Sequence, residues 1–484
     1  FGDYCRQDVI SEREIMRRLS ILKVFPLPER ERRIWLLDQK INDAGIPTDR
    51  EFVQKSLTIA ERAKAEALEQ QKKATGLDNP NSNSQMLAWV RERGFPGNSL
   101  RKEPVKIAIE DTTNELTQEA RDALIARKVS SSTSYKKLSA ILRQLSSDDR
   151  LKNQFIFMGS ARAGRWSGNA VQFQNLARPE PQFEDLDNLD KARNLILAED
   201  YDGIVKNFGS PLLVVKSCIR SAFVAPKGKR LNVADFSAIE TRVGAWLAGC
   251  ESLMDVFRQG RDPYLAFAVK MYQISYEMLD NWYHSADKEK KILVKGYRQI
   301  AKPGVLGCVY RLGPGSWGKN KYGDPIKTGL WGYAENMGIK MTQEKAQEVV
   351  RVFRGSYPEI VQLWYSFENA VEKVLRGGKK AEAFVGPNDC VRFDKLNRKD
   401  QFPILRMHLP SGRCLHYVDA RIEDTTMPWK RINAEGIEES VFKPTLVYSG
   451  VNQDTKQWES FVTSNGGKLC LSGDTRVVTD RGIM

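Results

Sequence analysis

The sequence predicts a mixed α+β fold, on three observations. Residues 29–49 and 353–371 place apolar side chains at helical spacing, the second with Ile360, Leu363, Trp364 and Phe367 on one side. Residues 409–422, LPSGRCLHYVDARI, alternate as the start of a strand pair. Residues 231–249, LNVADFSAIETRVGAWLAG, join a short apolar strand (Leu231, Val233, Ala234) to an amphipathic helix carrying Ile239, Val243, Ala245, Trp246 and Leu247.

In chain order, ERERRIWLLDQKINDAGIPTD (29–49) reads as a helix stopped by Gly45 and Pro47. Residues 52–73 continue as a highly charged helix whose interleaved Glu and Lys suggest a solvated or hairpin helix. SSSTSYKKL (130–138) offers hydroxyls and lysines suited to phosphate contacts. GSARAGRWSGNAVQFQNLARP (159–179) is a polar loop with cations at Arg162, Arg165 and Arg178, and its composition alone favours a flexible surface loop. At the strand-to-helix corner, Asp235 can bind Mg²⁺ without being sealed in a core, although an Asp in such a place more often caps a helix.

Further on, in RQIAKPGVLGCVY (298–310), Arg298, Lys302, Leu306 and Tyr310 are each four residues apart and form one slowly drifting helical ridge. Two cations on that ridge can grip a triphosphate, or can simply make a solvated basic face. Pro303, Gly304 and Gly307 are poor helix formers, so the helix must be kinked or held by its neighbours. His284, His408 and His416 are too dispersed for a metal site, and Asp389, Asp394, Asp419 and Asp424 read as surface acids.

Composition narrows the function classes. A net charge of +14 implies an anionic partner, most simply nucleic acid, and 41% hydrophobic content over 484 residues supports large cores rather than a basic tail. About two to four domains are expected at this length. No uninterrupted apolar run reaches the roughly 18 residues needed to cross a membrane, and no signal peptide is visible. The 7 cysteines are scattered without CxxC pairs, which argues against a disulfide framework or a zinc site and for a reducing cytoplasm.

DFSAIETR (235–242) resembles motif A of the family A DNA polymerases. The resemblance implies that Asp235 binds the catalytic Mg²⁺ ions and that Glu240 blocks the ribose 2′-hydroxyl of the incoming nucleotide. Residues 298–310 resemble motif B, with the KP..LG pattern of bacteriophage-type members. This implies Arg298 and Lys302 on the nucleotide phosphates, Tyr310 near the templating base, and Leu306 at a position linked to discrimination at the sugar 3′ carbon. Arg311 stands where Gly is usual. The segment 159–179 is similar to the family's minor-groove element, which implies that Arg165, Gln174 and Asn175 contact primer and template. Arg and Gln donors there check base-pair geometry without reading sequence, because every pair offers minor-groove acceptors. In YCRQD, Tyr4 and Asp8 have the spacing of the third proofreading-exonuclease motif.

What the resemblance implies is a right-hand polymerase fold with helical thumb, helical fingers and a palm with an antiparallel sheet, the palm incomplete at its C-terminal end. Residues 1–25 would end a 3′–5′ exonuclease domain, 26–155 form the thumb and connecting helices, 156–250 the first part of the palm, 251–375 the fingers, and 376–469 the second part of the palm. After Leu469 the family's second metal-binding Asp does not follow; CLSGDTRVVTDRGIM (470–484) resembles the opening block of an intein. Cys470 would then attack the Leu469 carbonyl to give a thioester. The expected function is template-directed DNA synthesis in phage replication by a two-metal mechanism, with this stretch alone inactive. Expected partners are primer-template DNA, deoxynucleoside triphosphates and the missing C-terminal polymerase part, reached by split-intein complementation if the intein is split, in the cytoplasm of a bacterial host. A non-catalytic DNA-binding polymerase fragment is the alternative; a single-subunit RNA polymerase is a weaker one, because Glu240 in the gate position argues for deoxynucleotides.

Overall fold

The structure, a computed structural model, describes residues 2–21, 27–111, 114–130, 134–160, 164–319, 323–424, 429–432, 438–441, 444–451 and 458–462. Arg162 and the whole segment from residue 463, Cys470 included, lie outside the described residues.

Helix α1 (Gly2–Ile21) carries Tyr4 and Asp8 and buries none of its residues. After α2 (Glu29–Ala44) and the short strand β1 (Ile46–Pro47) comes α3 (Arg50–Thr75), capped by Asp49 accepting from the Phe52 amide. The solvated-helix expectation for this segment is corrected here. Phe52, Val53, Ser56, Ile59, Ala60 and Ala63 form a buried stripe at helical spacing that the dense charges obscure. Helices α4 (Asn83–Arg91), α5 (Lys102–Glu110) and α6 (Gln118–Ser130) enclose a small core around Met86, Trp89, Phe95 and Leu124. Next are α7 (Ser134–Gln144) and β2 (Arg150–Leu151), which pairs with β1.

The polar segment expected as a loop is partly a hairpin: β3 (Phe155–Ser160) pairs antiparallel with β4 (Arg165–Gly168). Helices α8 (Leu186–Leu197), α9 (Tyr201–Phe208) and α10 (Pro211–Cys218) follow, and one core joins their apolar faces to α3 and α7, drawing on both sides of residue 155.

A third core is built from α11 (Ile239–Ala248), α12 (Glu251–Arg258), α13 (Pro263–Tyr272), α14 (Tyr276–His284), α15 (Lys288–Cys308), α16 (Gly329–Asn336), α17 (Gln343–Ser356) and α18 (Pro358–Arg376), and a hairpin of β5 (Trp317–Lys319) and β6 (Pro325–Lys327) lies between α15 and α16 in the chain. Helix α15 runs unbroken through the buried Pro303. Its neighbours hold it: Gly304 backs onto Val349 and Phe267, and Gly307 onto Leu312 and Tyr333, so neither position has room for a side chain without displacement.

The far side of α18 covers a six-stranded antiparallel sheet of order β14-β13-β10-β9-β8-β7. Its strands are β7 (Ala383–Val385), β8 (Val391–Arg398), β9 (Gln401–His408), β10 (Cys414–Asp424), β13 (Pro444–Val451) and β14 (Trp458–Val462), with a separate hairpin of β11 (Trp429–Ile432) and β12 (Glu438–Val441) inserted between β10 and β13. The expected strand pair at LPSGR is the β9–β10 hairpin, where the Leu409 amide donates to the Arg413 carbonyl at 2.8 Å.

Two expectations are overturned. Residues 231–236 form no strand, and Val233 is 94% exposed; an isolated strand has no partner for its amides and carbonyls, and among the described residues none pairs with it. Asp394 is not a surface acid but is buried in β8. Arg406, directly across on β9, donates to its two oxygens at 2.6 and 2.9 Å, and His408 Nε2 lies 3.0 Å away. Burial raises the Asp394 carboxyl, but the hydrogen bonds from Arg406 and His408 outweigh that and hold it below its ordinary value. Asp419 is likewise engaged, in an ion pair with Arg398.

Candidate active site

Helix α15 sets out Arg298, Lys302 and Leu306 on one half-buried ridge. Arg298 is fixed by Asp262, whose Oδ2 accepts from both Nε and Nη2 at 2.8 Å. Asp262 is itself held from two further directions. Its Oδ1 caps α13 by accepting from the amides of Tyr264 (2.7 Å) and Leu265 (3.1 Å), and its own amide donates to the Tyr276 hydroxyl at 2.8 Å. The Arg298 guanidinium carbon lies 5.0 Å from the Tyr264 ring centroid and the Lys302 ammonium 5.9 Å from it, so one aromatic ring lies between the reach of both cations. Asp262 and Tyr264 were missed in the sequence, although an Asp before Pro263 at the first helical position is an N-cap signal.

Tyr310 leaves the ridge. The helix ends at Cys308 and Tyr310 sits in the turn beyond it, which the even spacing of four residues did not reveal. Burial pushes its phenol pKa up while the charge of Arg165 pulls it down. Arg165, on β4, also makes an ion pair with Glu240 at the start of α11. Arg165 therefore links two other candidate residues from separate segments, Glu240 by an ion pair and Tyr310 through its charge.

Asp235 stands exposed on the irregular stretch before α11, and among the described contacts none links it to Arg298 or Lys302. The following corner is tight: Ala238 has φ +50°, and Arg242 Nε donates to the Ser237 carbonyl at 2.9 Å.

Gln174 and Asn175 lie exposed on a 3-10 turn (Phe173–Asn175) beside the β3–β4 hairpin. Asn175 Nδ2 donates to Gln172 Oε1 at 3.0 Å. Lys137, expected at a phosphate, instead donates to the carbonyls of Val171, Gln172 and Asn175 at 3.1–3.3 Å, and its burial lowers its pKa. It braces the turn and leaves the outer faces of Gln174 and Asn175 open. From the β9–β10 turn, Arg413 packs against Gly164, so the sheet also supports this hairpin.

The arrangement thus offers clustered cations, an exposed carboxylate, and amide and guanidinium donors beside a carboxylate and a phenol. Comparison with known proteins assigns its class. The model of DNA polymerase family A matches residues 51–315, which contain both the Asp235–Arg242 and the Arg298–Tyr310 motifs. The chain belongs to the family A DNA polymerases. A DNA polymerase of Bacillus phage SP02 is 34% identical over 471 residues, covering 97% of this chain and 63% of that protein, so the chain spans less than two thirds of this relative's length. The thermostable DNA polymerase I of Thermus thermophilus is 48% identical over 62 residues, 13% of this chain and 8% of that protein. Among solved structures, the POL domain of Pol1 from M. smegmatis in complex with DNA primer-template and dNTP overlaps with TM-score 0.44 and 17% identity, covering 68% of this chain and 47% of that one. No helix among the described residues is long and apolar enough to cross a membrane.

Proposed function

We propose that the chain is the larger part of a phage-type DNA polymerase that adds deoxynucleotides to a primer 3′ end under template direction. The observation that most supports this is the pair of cations on α15, with Arg298 held from behind by Asp262 and Lys302 one turn on, both facing the Tyr264 ring. Fixed cations at that spacing neutralise a triphosphate and the pyrophosphate that leaves it, and little reorganisation is needed at the moment of reaction.

The other residues take complementary roles in this reading. Glu240 lies beneath the incoming sugar and excludes a 2′-hydroxyl, Leu306 lines the sugar pocket, and Tyr310 abuts the templating base. Arg165, Gln174 and Asn175 donate to minor-groove acceptors. Since Arg165 is paired with Glu240 here, DNA binding must draw its guanidinium away from that carboxylate.

The Mg²⁺ expectation fits the donors present: Mg²⁺ takes one or two carboxylates together with substrate phosphates, and Asp235 offers an exposed hard-oxygen ligand. When bound, the ion supplies Lewis-acid stabilisation of the attacking and leaving oxygens. The thumb, palm and fingers assignment, with α2 to α7 as thumb, α12 to α18 as fingers and the six-stranded sheet as part of the palm, belongs to the same proposal. So do the intein reading of 470–484, with Cys470 as splice nucleophile, and the C-terminal polymerase part as partner.

Primer extension tests the proposal, using the chain alone and the chain joined to a C-terminal segment from a family relative, each with deoxy- and ribonucleotides. Template-directed dNTP addition by the joined protein and DNA binding without addition by the chain alone are expected. DNA binding without addition by both would favour a non-catalytic role, and preferential ribonucleotide addition an RNA polymerase.

A further inference from the structure

The turn that carries Tyr310 is built around an unusual residue. The Leu312 amide donates to the Gly307 carbonyl at 3.1 Å and the Arg311 amide to the Cys308 carbonyl at 2.9 Å, the paired bonds of a Schellman helix stop. In that motif the residue with positive φ is usually Gly, and here it is Arg311 at φ +67°. Gly307 allows the motif's apolar contact, because the space its side chain would fill is taken by Leu312. A helix stop alone would be met by Gly without strain, so the side chain of Arg311 needs its own explanation.

That side chain reaches α18. Arg311 is 9% exposed, donates from Nη1 to Glu368 at 2.6 Å, and lies over the rings of Trp364 and Tyr365 at 5.6 and 5.1 Å. Trp364, one helical turn before Glu368, donates its indole N–H to the Val309 carbonyl at 3.1 Å. The residues before and after Tyr310 are thus tied to the same face of one helix. Backbone bracketed in this way cannot shift at Tyr310 unless one of the two ties breaks, which fixes where its side chain starts.

We propose that Arg311 is a positioning residue for Tyr310. Clamped by Glu368 and the α18 aromatics, it fixes the strained turn so that the Tyr310 ring is presented to the template in a single place. This rests on the reading of Tyr310 as a neighbour of the templating base. A Gly at position 311 keeps the helix stop and loses the clamp, so the two functions are separable.

The test is photocrosslinking of the 484-residue chain to a primer-template carrying 5-iodouracil at the templating position, with the attached residue mapped by mass spectrometry, alongside DNA affinity and melting temperature. Wild type is expected to crosslink through Tyr310. Arg311→Gly and Glu368→Gln should each cut the Tyr310 yield at least about fivefold with DNA affinity unchanged within about twofold, and Arg311→Lys should restore part of it, since a cation still reaches Glu368. Wild-type yield in Arg311→Gly and Glu368→Gln would overturn the inference. So would a loss of yield that merely follows a loss of DNA binding. Wild-type crosslinks formed only at residues other than Tyr310 would instead overturn the reading of Tyr310 on which the inference stands.

Discussion

Replacing Gly304 by alanine in α15 sets two effects of known sign against each other. Helix propensity favours Ala over Gly by about 0.8–1 kcal/mol in a helix interior. Against it, a Cβ at position 304 would lie 2.5 Å from Val349 Cγ1 and 3.1 Å from Phe267 Cε1, where carbon atoms prefer about 3.5–4.0 Å. Val349 and Phe267 are fully buried, and Val349 is a β-branched residue in α17 with one strongly preferred rotamer, so it cannot swing aside. Overpacking of this kind costs about 1–3 kcal/mol, so the clash wins and a net loss of about 1 kcal/mol is expected. Gly296 is the internal control, being in the same helix with nothing within 4 Å of its would-be Cβ. There Ala should stabilise by nearly the full propensity term. Urea unfolding followed by circular dichroism, with hydrogen exchange of the α15 amides, gives both signs. The double variant Gly304→Ala/Val349→Ala should show a favourable coupling of about 1–2 kcal/mol. If Gly304→Ala stabilised as much as Gly296→Ala, α15 would not be seated against α13 and α17 as described, and the placement of Arg298 and Lys302 would lose its basis.

Asp394→Ala should cost about 3–5 kcal/mol, because it removes the buried carboxylate that pairs the half-buried Arg406 and His408, and Asp394→Asn should cost less. Acid sensitivity follows from two groups. Burial, outweighing the pull of Asp394, holds His408 below the ordinary imidazole value of 6.5, so stability is present above that value and declines as pH falls below it. Asp394 is held below the ordinary carboxyl value of 3.8, so its contribution is lost only in a second stage as pH falls through the lowered value, a stage that melting curves of Asp394→Asn should lack. Glu335, 3.0 Å from both Lys106 on α5 and Lys327 on β6, clasps two cores together with Asp324, which accepts from the Asn98 amide and the Ser99 hydroxyl. Glu335→Gln should weaken that clasp by about 1.5–3 kcal/mol and raise hydrogen exchange across 98–110 without changing it in α3. In the joined polymerase, Glu240→Ala should raise ribonucleotide relative to deoxynucleotide incorporation by about tenfold or more, and an unchanged ratio in single-nucleotide kinetics would place the gate elsewhere.

Local chemistry was legible in the sequence wherever it stayed local. The α15 ridge, the α11 helix and the LPSGR hairpin follow from spacing and turn residues, and motif strings pointed to Asp235, Glu240 and Arg298 before any geometry was known. What was not legible depends on partners far along the chain. Asp394 looks like any surface acid until strand register sets it opposite Arg406. Lys137 looks free until the Gln172 turn folds over it. The end of α15 was hidden because Arg311 occupies a position where Gly would have announced the stop. The apolar run Leu231, Val233, Ala234 signals a strand, yet period-two alternation reports only a face to be covered and cannot supply the neighbour that completes the pairing.

The central claim is that this chain carries the metal-binding carboxylate and the triphosphate grip of a DNA-synthesising centre. Its most direct test is single-turnover primer extension by the joined polymerase with and without Asp235→Ala, with primer-template affinity measured in parallel at fixed salt. Template-directed dNTP addition that falls by at least about a thousandfold in the variant is predicted, with DNA affinity kept within about twofold because cations rather than Asp235 supply it. Undiminished extension by Asp235→Ala, or a loss explained by weaker DNA binding, would contradict the claim.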